Sequence, residues 1–324
     1  MRLLSVVNAP GASAYYRQVL PTEVLKQAGY QAEWKYLEKA TDADALKADV
    51  IVLGRVGGEH AKTAAESIKR LRSLGKTVIL DYDDLVTAIP KWNPAHLAET
   101  DDTIGVIQSA SGITTTNSAL ASEMRAFNPN VTVFPNYVHP NDWEVPQPKN
   151  DIVIGLAGTP SHGKDWELIR EPMQRIRRDF PDVQFVIAGF MPDYLKDVAT
   201  EFVDWVPMTA YPSLLKRFSI GLCPLVDDRF NRCKSPIKCY EYALSGAAVV
   251  ASPTQYASVV RGKGVIARTA DEWYEGIKRY ITDADARRRD AQALRTFVIR
   301  TLDARNHAKV IYKAYSDIHK RTKA

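Results

Sequence analysis

Cysteine is scarce in this chain, with three residues (Cys223, Cys233 and Cys239) in 324. An odd count excludes a fully paired disulfide scaffold. No histidine stands near them at ligand spacing, which argues against zinc. The sequence therefore reads as that of a protein from a reducing, cytoplasmic compartment. No apolar run approaches the roughly 20 residues that span a bilayer. The opening MRLLSVVNAPG has a short apolar run but ends in a glycine turn, so it reads as a first strand rather than a signal peptide. Low-complexity segments are absent. So is a strong charge of one sign: 43 Lys and Arg face 38 Asp and Glu, for a net charge of +5. That mild excess permits an anionic partner without requiring nucleic acid.

What the chain does have is alternation. Hydrophobic content of 45% and charged content of 25% are those of an ordinary globular protein, and the length suits two domains. Strand patterns at 2–7, 32–36, 50–53, 77–80, 112–115 and 131–134 alternate with helical ones at 15–28, 60–74, 104–110 and 118–127. A polar, proline-rich stretch at 135–151 reads as a linker. A second unit follows, with strands at 152–157, 183–188, 202–206, 220–225, 248–251 and 264–267 and helices between them. Alternation of this kind means α/β with parallel sheets. The expected organisation is two Rossmann-like domains, 1–140 and 151–299, facing each other across a cleft. The Arg/Lys-rich helical tail, about 300–324, is expected to return to the first.

Chemistry concentrates in KSPIKCYEYALSGAAVVASP, residues 234–253. Ser235 and Pro236 stand where an N-cap and a first helical residue belong. Ile237, Tyr240, Glu241 and Leu244 follow at helical spacing, Gly246 ends the helix, and residues 247–251 read as a buried strand. Lys238 and Glu241 share a helical face. A helix N-terminus flanked by Lys234 and Lys238 suits the phosphates of a nucleoside diphosphate, with ribose hydroxyls on Glu241. The alternative is an amphipathic helix carrying a solvated Lys–Glu pair.

The whole chain resembles the GT-B glycosyltransferases. IVIGLAGTPSHGKDWE followed by PDVQFVIAG is similar to the strand, Gly-turn, Lys and helix that open the donor domain of the nucleotide-sugar-dependent group. SPIKCYEYALSGAAVVAS is similar to that group's later S-P-x-K-x-x-E-x-x-x-x-G-x-x-V-V-A-S. In the first half the resemblance rests on layout. It implies that Glu241 accepts hydrogen bonds from the donor ribose and that Lys164 and Lys238 sit on the diphosphate. The family often places an arginine where this chain has Thr159, so His162 and Lys164 are the candidates to supply that charge. Lys234 and Ser235 flank the same site. Gly155 and Gly158 border the first strand–loop of the donor domain, and Gly11 borders that of the acceptor domain, where glycine lets backbone approach a ligand.

On the acceptor side, Asp81, Asp83 and Asp84 follow a strand at its carboxyl end, where ligands of open α/β sheets bind. Asp83, with Asp84 as the other candidate, is the expected general base. Asp81-Tyr82-Asp83 also matches the short D-x-D metal signature of the GT-A fold, a reading set aside because D-x-D is short and a second Rossmann-like half is foreign to that fold. Metal is therefore expected at no site. His60 and His96 are candidates by proximity only. Arg17 is expected to reach a phosphate across the cleft. Tyr15 and Tyr16 are expected to stack on a sugar or base, or else to pack the helix on its sheet.

The resemblance implies transfer of a sugar from a nucleotide diphosphate-sugar to a hydroxyl acceptor, with the donor as substrate and no tightly bound cofactor. The acceptor is open: a saccharide, a protein, a small molecule or modified DNA. The layout is also similar to that of phage DNA glucosyltransferases acting on hydroxymethylated bases, for which Arg17, Arg55, Lys91 and the cluster at 69–72 would be the phosphate contacts. A nucleotide-sugar epimerase and a non-catalytic nucleotide- or sugar-binding module are the remaining alternatives.

Overall fold

The computed structural model describes residues 1–56, 60–98, 101–144, 146 and 151–324. Among the described residues, twelve strands form two parallel six-stranded sheets. The first contains β1 (Leu3–Val7), β2 (Ala32–Tyr36), β3 (Val50–Leu53), β4 (Thr77–Tyr82), β5 (Gly112–Thr115) and β6 (Val131–Val133), in the order β2-β1-β3-β4-β5-β6. The second contains β7 (Val153–Ala157), β8 (Gln184–Ala188), β9 (Glu201–Val203), β10 (Ile220–Cys223), β11 (Ala248–Ala251) and β12 (Val265–Ile266), in the order β12-β11-β10-β7-β8-β9. Short apolar runs such as VIV in β3 and AVVA in β11 are buried along their length, as strands covered on both faces must be.

Helices cover both sheets. In the first half they are α1 (Ala12–Ala14), α2 (Leu20–Gln27), α3 (Asp42–Lys47), α4 (Ala61–Ser73), α5 (Asp101–Ser109) and α6 (Ser118–Met124). In the second they are α7 (Arg170–Asp179), α8 (Tyr211–Leu215), α9 (Ile237–Leu244), α10 (Ala257–Val260), α11 (Ala270–Thr282) and α12 (Ala284–Leu302). The chain breaks at Asp303 and ends in α13 (Ala308–Lys323). Whereas α12 packs on α9 and β11, α13 packs on α2, β4, β5 and β6 of the first sheet. The break lies beside the earlier crossing. The Val138 N–H donates to the Leu302 carbonyl at 2.9 Å, and the Ala304 N–H donates to the Val138 carbonyl at 2.8 Å.

The halves share core. One buried cluster runs from Leu3, Leu20 and Val52 through Phe134 to Val153, Cys239 and Val249. Another places Phe230 and Cys233, from a second-half loop, among first-half residues such as Tyr82, Leu85 and Ile107.

Two expectations change here. The helix expected at 15–28 opens with a π-helical stretch, Tyr15–Val19, before α2. The strand expected at 77–80 runs to Tyr82, with Asp81 opposite Thr114 on β5. Arg17, on the π-helical stretch, explains both. Its guanidinium is 2% exposed and makes a bidentate pair with Asp81, Nε to Oδ1 at 2.8 Å and Nη2 to Oδ2 at 2.9 Å. Nη1 donates to the Phe134 carbonyl at 2.9 Å and to Asn136 Oδ1 at 3.2 Å. Thr114 donates to the same carboxylate. Arg17 therefore does not reach across the cleft, and Asp81 is not available to an acceptor or a metal. A buried, fully bonded charge pair holds both inside the first half.

Asp81→Ala leaves the buried guanidinium unpaired, which typically costs about 3–5 kcal/mol. The expected result is a lower midpoint in chemical denaturation, most of it recovered by the volume-matched double substitution Arg17→Met/Asp81→Leu. An Asp81→Ala protein that unfolds at the wild-type midpoint would refute this account.

Candidate active site

In each sheet the strand order reverses beside the first strand, between β1 and β3 and between β7 and β10. Loops leaving such strands diverge and open a crevice. In the first half the crevice is a pocket of about 800 Å³ bounded by Asn8, Gly11 and Ser13 after β1, Gly54 and Arg55 after β3, and Asp83 and Asp84 after β4. A side chain at Gly11 would meet nothing within 4 Å, so packing alone does not require glycine there.

The two acids are unlike. The Ser13 hydroxyl donates to Asp83 Oδ2 at 2.5 Å. Burial, and next the Asp84 charge, push the Asp83 carboxyl up to about 6 despite that bond. Burial would raise Asp84 too, but Lys234, then Arg55 and His162, outweigh it and hold the carboxyl below its usual range. Lys234 Nζ lies 3.4 Å from Asp84 Oδ1. The pair thus combines a carboxylate held ionised with one poised to exchange a proton near neutrality.

Lys234 belongs to the turn before α9. Pro236, not Ser235, is the N-cap, and the helix starts at Ile237. Ser235 caps nothing: its hydroxyl accepts from Asn136 Nδ2 at 2.8 Å. The turn is held from the first half. Asn117 Nδ2 donates to the carbonyls of Cys233 at 2.8 Å and Lys234 at 3.1 Å, while Asn117 Oδ1 caps α6 through the Leu120 N–H. Gly246 terminates α9 with φ +79°, beside Pro146.

One turn into α9, Glu241 is buried rather than solvated. Its Oε1 accepts from the Tyr16 hydroxyl of the first half at 3.1 Å. Its Oε2 accepts from the Tyr211 hydroxyl at 3.2 Å and from Lys238 Nζ at 3.0 Å. Lys238 Nζ also donates to the Tyr211 oxygen at 2.7 Å. Burial, followed by the Glu241 charge, raises both phenols well above their ordinary range and keeps them protonated. Burial alone would lower Lys238, but the Glu241 charge and hydrogen bond, together with neighbouring Tyr242 and Cys223, outweigh it and raise the ammonium. Three of about four acceptor positions on the carboxylate are filled. One position is left, so a ribose that brings two vicinal hydroxyls to Glu241 must displace one of these partners. Tyr16 is the one that comes from the opposite half.

After β7, the Gly158 carbonyl lies 2.4 Å from where a Cβ on Gly189 would stand, and Gly189 has φ +86°, so two backbone loops touch where no side chain fits. Gly155 lies inside β7, where an added Cβ would come within 1.9 Å of Phe218, so it serves packing and not a ligand. His162 Nδ1 bonds Asp165 Oδ2 at 3.0 Å, and burial, then Lys234, lowers the imidazole. His162 and Lys238 line one small cavity behind the turn, together with Trp166, Cys223 and Tyr256. Lys164 is exposed and lies outside that cavity. A cleft of about 540 Å³ runs from Gly158 and Thr159 past Gly189, Trp205 and Met208 to Tyr211 and Lys238, with Ala12 as its wall from the first half.

The structure thus gathers Gly11, Asp83, Asp84, Lys234, Ser235, Lys238, Glu241, Gly158 and His162 along one seam. Arg17 and Asp81 also line the first-half pocket, but as a closed ion pair. The structure places elsewhere Lys164 and Tyr15, whose hydroxyl bonds Asp142. His96 Nδ1 bonds the Ile89 carbonyl at 3.1 Å, and neither it nor His60 borders these cavities. Sequence reasoning missed Tyr211, Asn117, Asn136 and Asp165. Asp165 alone had a local signal, following Lys164 in the quoted GKDWE. It is buried and takes Asn231 Nδ2 at 2.7 Å and the Val226 N–H at 3.0 Å.

Residues 167–312 match a family model described as glycosyl transferase-like. No curated protein matches the chain. Solved structures match across nearly its whole length. Anabaena HepE in complex with UDP and glucose has a TM-score of 0.68 at 13% identity, covering 98% of this chain and 100% of its own. Sucrose-phosphate synthase from Thermosynechococcus elongatus has a TM-score of 0.68 at 11% identity, covering 99% and 100%. A trehalose-6-phosphate protein from E. coli bound with UDP-2-fluoro glucose has a TM-score of 0.63 at 12% identity, covering 99% of each. With two parallel sheets and crevices meeting along one seam, this chain has the GT-B fold, and its residues 167–312 are similar to the glycosyl transferase-like family.

Proposed function

We propose that the chain transfers a sugar from a nucleoside diphosphate-sugar, bound by the second half, to a hydroxyl acceptor in the first-half pocket. One observation carries this reading: the cation-bearing turn before α9 faces the Asp83–Asp84 pair at salt-bridge distance, Lys234 to Asp84 at 3.4 Å. The relatives above are described with UDP and glucose or with UDP-2-fluoro glucose, so a uridine donor is the first to test. Donor and acceptor units are 151–299 and 1–140, with 300–324 returning to the latter.

In this reading the nucleobase occupies the cleft beside Trp205 and Met208, and the diphosphate lies against the start of α9, near Lys234, Lys238 and His162. Asp83 takes the proton of the acceptor hydroxyl as its oxygen bonds to the anomeric carbon. The bond from that carbon to the phosphate oxygen breaks on the opposite face, inverting configuration. The departing diphosphate gains negative charge, which the lysines and the helix N-terminus stabilise without a metal. Opening of the seam withdraws Tyr16, and ribose takes its place on Glu241. Three buried free cysteines suit a reducing, cytoplasmic setting. A DNA acceptor is disfavoured because Arg17 is committed to Asp81 and the 69–72 cluster ends α4 at the far edge of the sheet.

The test is a donor screen by thermal shift, with products identified by mass spectrometry. A donor at a hundred times its dissociation constant stabilises by about 2.7 kcal/mol. A chelator is expected to leave the rate unchanged.

Glu241→Gln should weaken UDP binding by about 1.5–3 kcal/mol in calorimetry, the usual worth of a hydrogen bond to a charged group. Tyr16→Phe should bind UDP at least as tightly as wild type. Weakened binding in Tyr16→Phe would make Tyr16 a donor ligand instead of an occupant that leaves.

Asp83→Asn should lower kcat by about 10²–10⁴-fold with donor affinity unchanged. The base acts as its anion, so wild-type kcat/KM should fall as pH drops through about 6, where the carboxyl takes up its proton. Retention of anomeric configuration in the product, read by NMR, would exclude this role.

A further inference from the structure

At the opposite edge of the first sheet from the active site, the C-terminal ends of three helices converge. Lys76 donates to the carbonyls of Leu46 and, at 2.9 Å, Ala48 at the end of α3. Lys323, the last residue of α13, donates to the Gly75 carbonyl just past α4 at 2.6 Å. Beside them lies a groove of about 930 Å³ between Arg72 and Arg321, with Ser111, Asn128 and Asn130 in its walls and no carboxylate among its lining residues. Both guanidiniums are held in place. Arg72 Nη1 donates to the Ser109 carbonyl at 2.7 Å, and Arg321 Nε donates to Asn130 Oδ1 at 2.6 Å. Lys47, Lys69, Arg70 and Lys320 are exposed around this edge.

Cations at helix C-termini offset the helix dipole, which accounts for Lys76 and Lys323. It does not account for the leucines. Leu46 and Leu74 are 52% and 51% exposed; Lys76, two residues after Leu74, bonds the Leu46 carbonyl and so ties the two turns together. Of the nearby acids, Asp49 accepts from the Arg2 N–H at 2.7 Å and Asp317 pairs with Lys313. Two exposed leucines on turns joined by Lys76, near a groove with no carboxylate in its lining and two oriented guanidiniums, match a surface with phosphates outside and hydrocarbon just beneath.

We propose that this edge docks the protein on an anionic phospholipid surface, with Leu46 and Leu74 entering the headgroup layer and Arg72 and Arg321 taking lipid phosphate. No described helix is long and apolar enough to cross a membrane, so the attachment is peripheral. Nucleic acid would satisfy the cations but leave the leucines without a role.

The test is co-sedimentation of the full chain with vesicles of phosphatidylcholine alone or mixed with phosphatidylglycerol. Binding is expected only to the mixed vesicles and should weaken with salt, each basic side chain contributing roughly fivefold. Arg72→Glu/Arg321→Glu should reduce binding more than tenfold, by roughly fivefold for each lost cation. Leu74→Ser should reduce it while leaving salt sensitivity intact. Lys320→Glu/Lys323→Glu is the second charge variant should the first fold poorly, as judged by its melting curve. None of these substitutions should change UDP affinity. No binding to mixed vesicles at low salt overturns the proposal, as does equal binding to neutral vesicles. Complete competition by inorganic phosphate would reduce the groove to a small-anion site and overturn it too. Tighter binding to duplex DNA than to vesicles, insensitive to Leu74→Ser, would assign the edge to nucleic acid instead.

Discussion

The buried pair of Arg17 and Asp81 is the constraint from which the active site is built outward. A guanidinium sealed from water must fill its hydrogen bonds or destabilise the fold. Arg17 does so with Asp81 on β4, the Phe134 carbonyl beyond β6, and Asn136. It thereby fixes the helix that carries Ser13 and Tyr16 against the strand that leads into Asp83 and Asp84. Asn136 passes the constraint on, since its other end holds Ser235. Four residues thus connect the floor of the first-half pocket to the turn before α9.

That connection explains why charges that would repel or strip one another are kept so close. Asp83 and Asp84 are both desolvated and differ because Lys234 arrives on Asp84 from the other half, while Asp83 meets the Asp84 charge with the Ser13 hydroxyl as its most direct offset. Glu241 likewise depends on both halves, taking Tyr16 from one and Tyr211 and Lys238 from the other. The electrostatics of the site are therefore properties of the assembled seam, not of either sheet alone.

Residues whose partners lie within one helical turn were legible in the amino-acid order. The run 234–253 declares its turn, helix, Gly246 stop and strand, because periodicity, a glycine stop and strand burial are local, although Ser235 serves Asn136 and not the helix start. Asp83 and Asp84 were legible by position, as acids just past a strand's carboxyl end. Arg17 was not, because its partner stands 64 residues away and nothing nearby announces burial. Lys164 misled in the opposite way: it sits one residue from a committed buried acid, Asp165, yet points to solvent. Tyr211, Asn117 and Asn136 left no local trace, since each acts by crossing to another element.

The two places where the chain passes between its halves lie against each other. Val138 and Asp303 run parallel and are bonded on both sides. Two strands clamped at a common point form a hinge with a defined axis, whereas a single tether would swivel freely. Rotation about such an axis moves nearby atoms little and distant ones far, like a door. The core around Val138 can then stay packed while the lips of the cleft separate. The Asp84–Lys234, Asn136–Ser235 and Tyr16–Glu241 contacts all cross the seam that this doubled crossing closes, so a rotation about it would break them as a set.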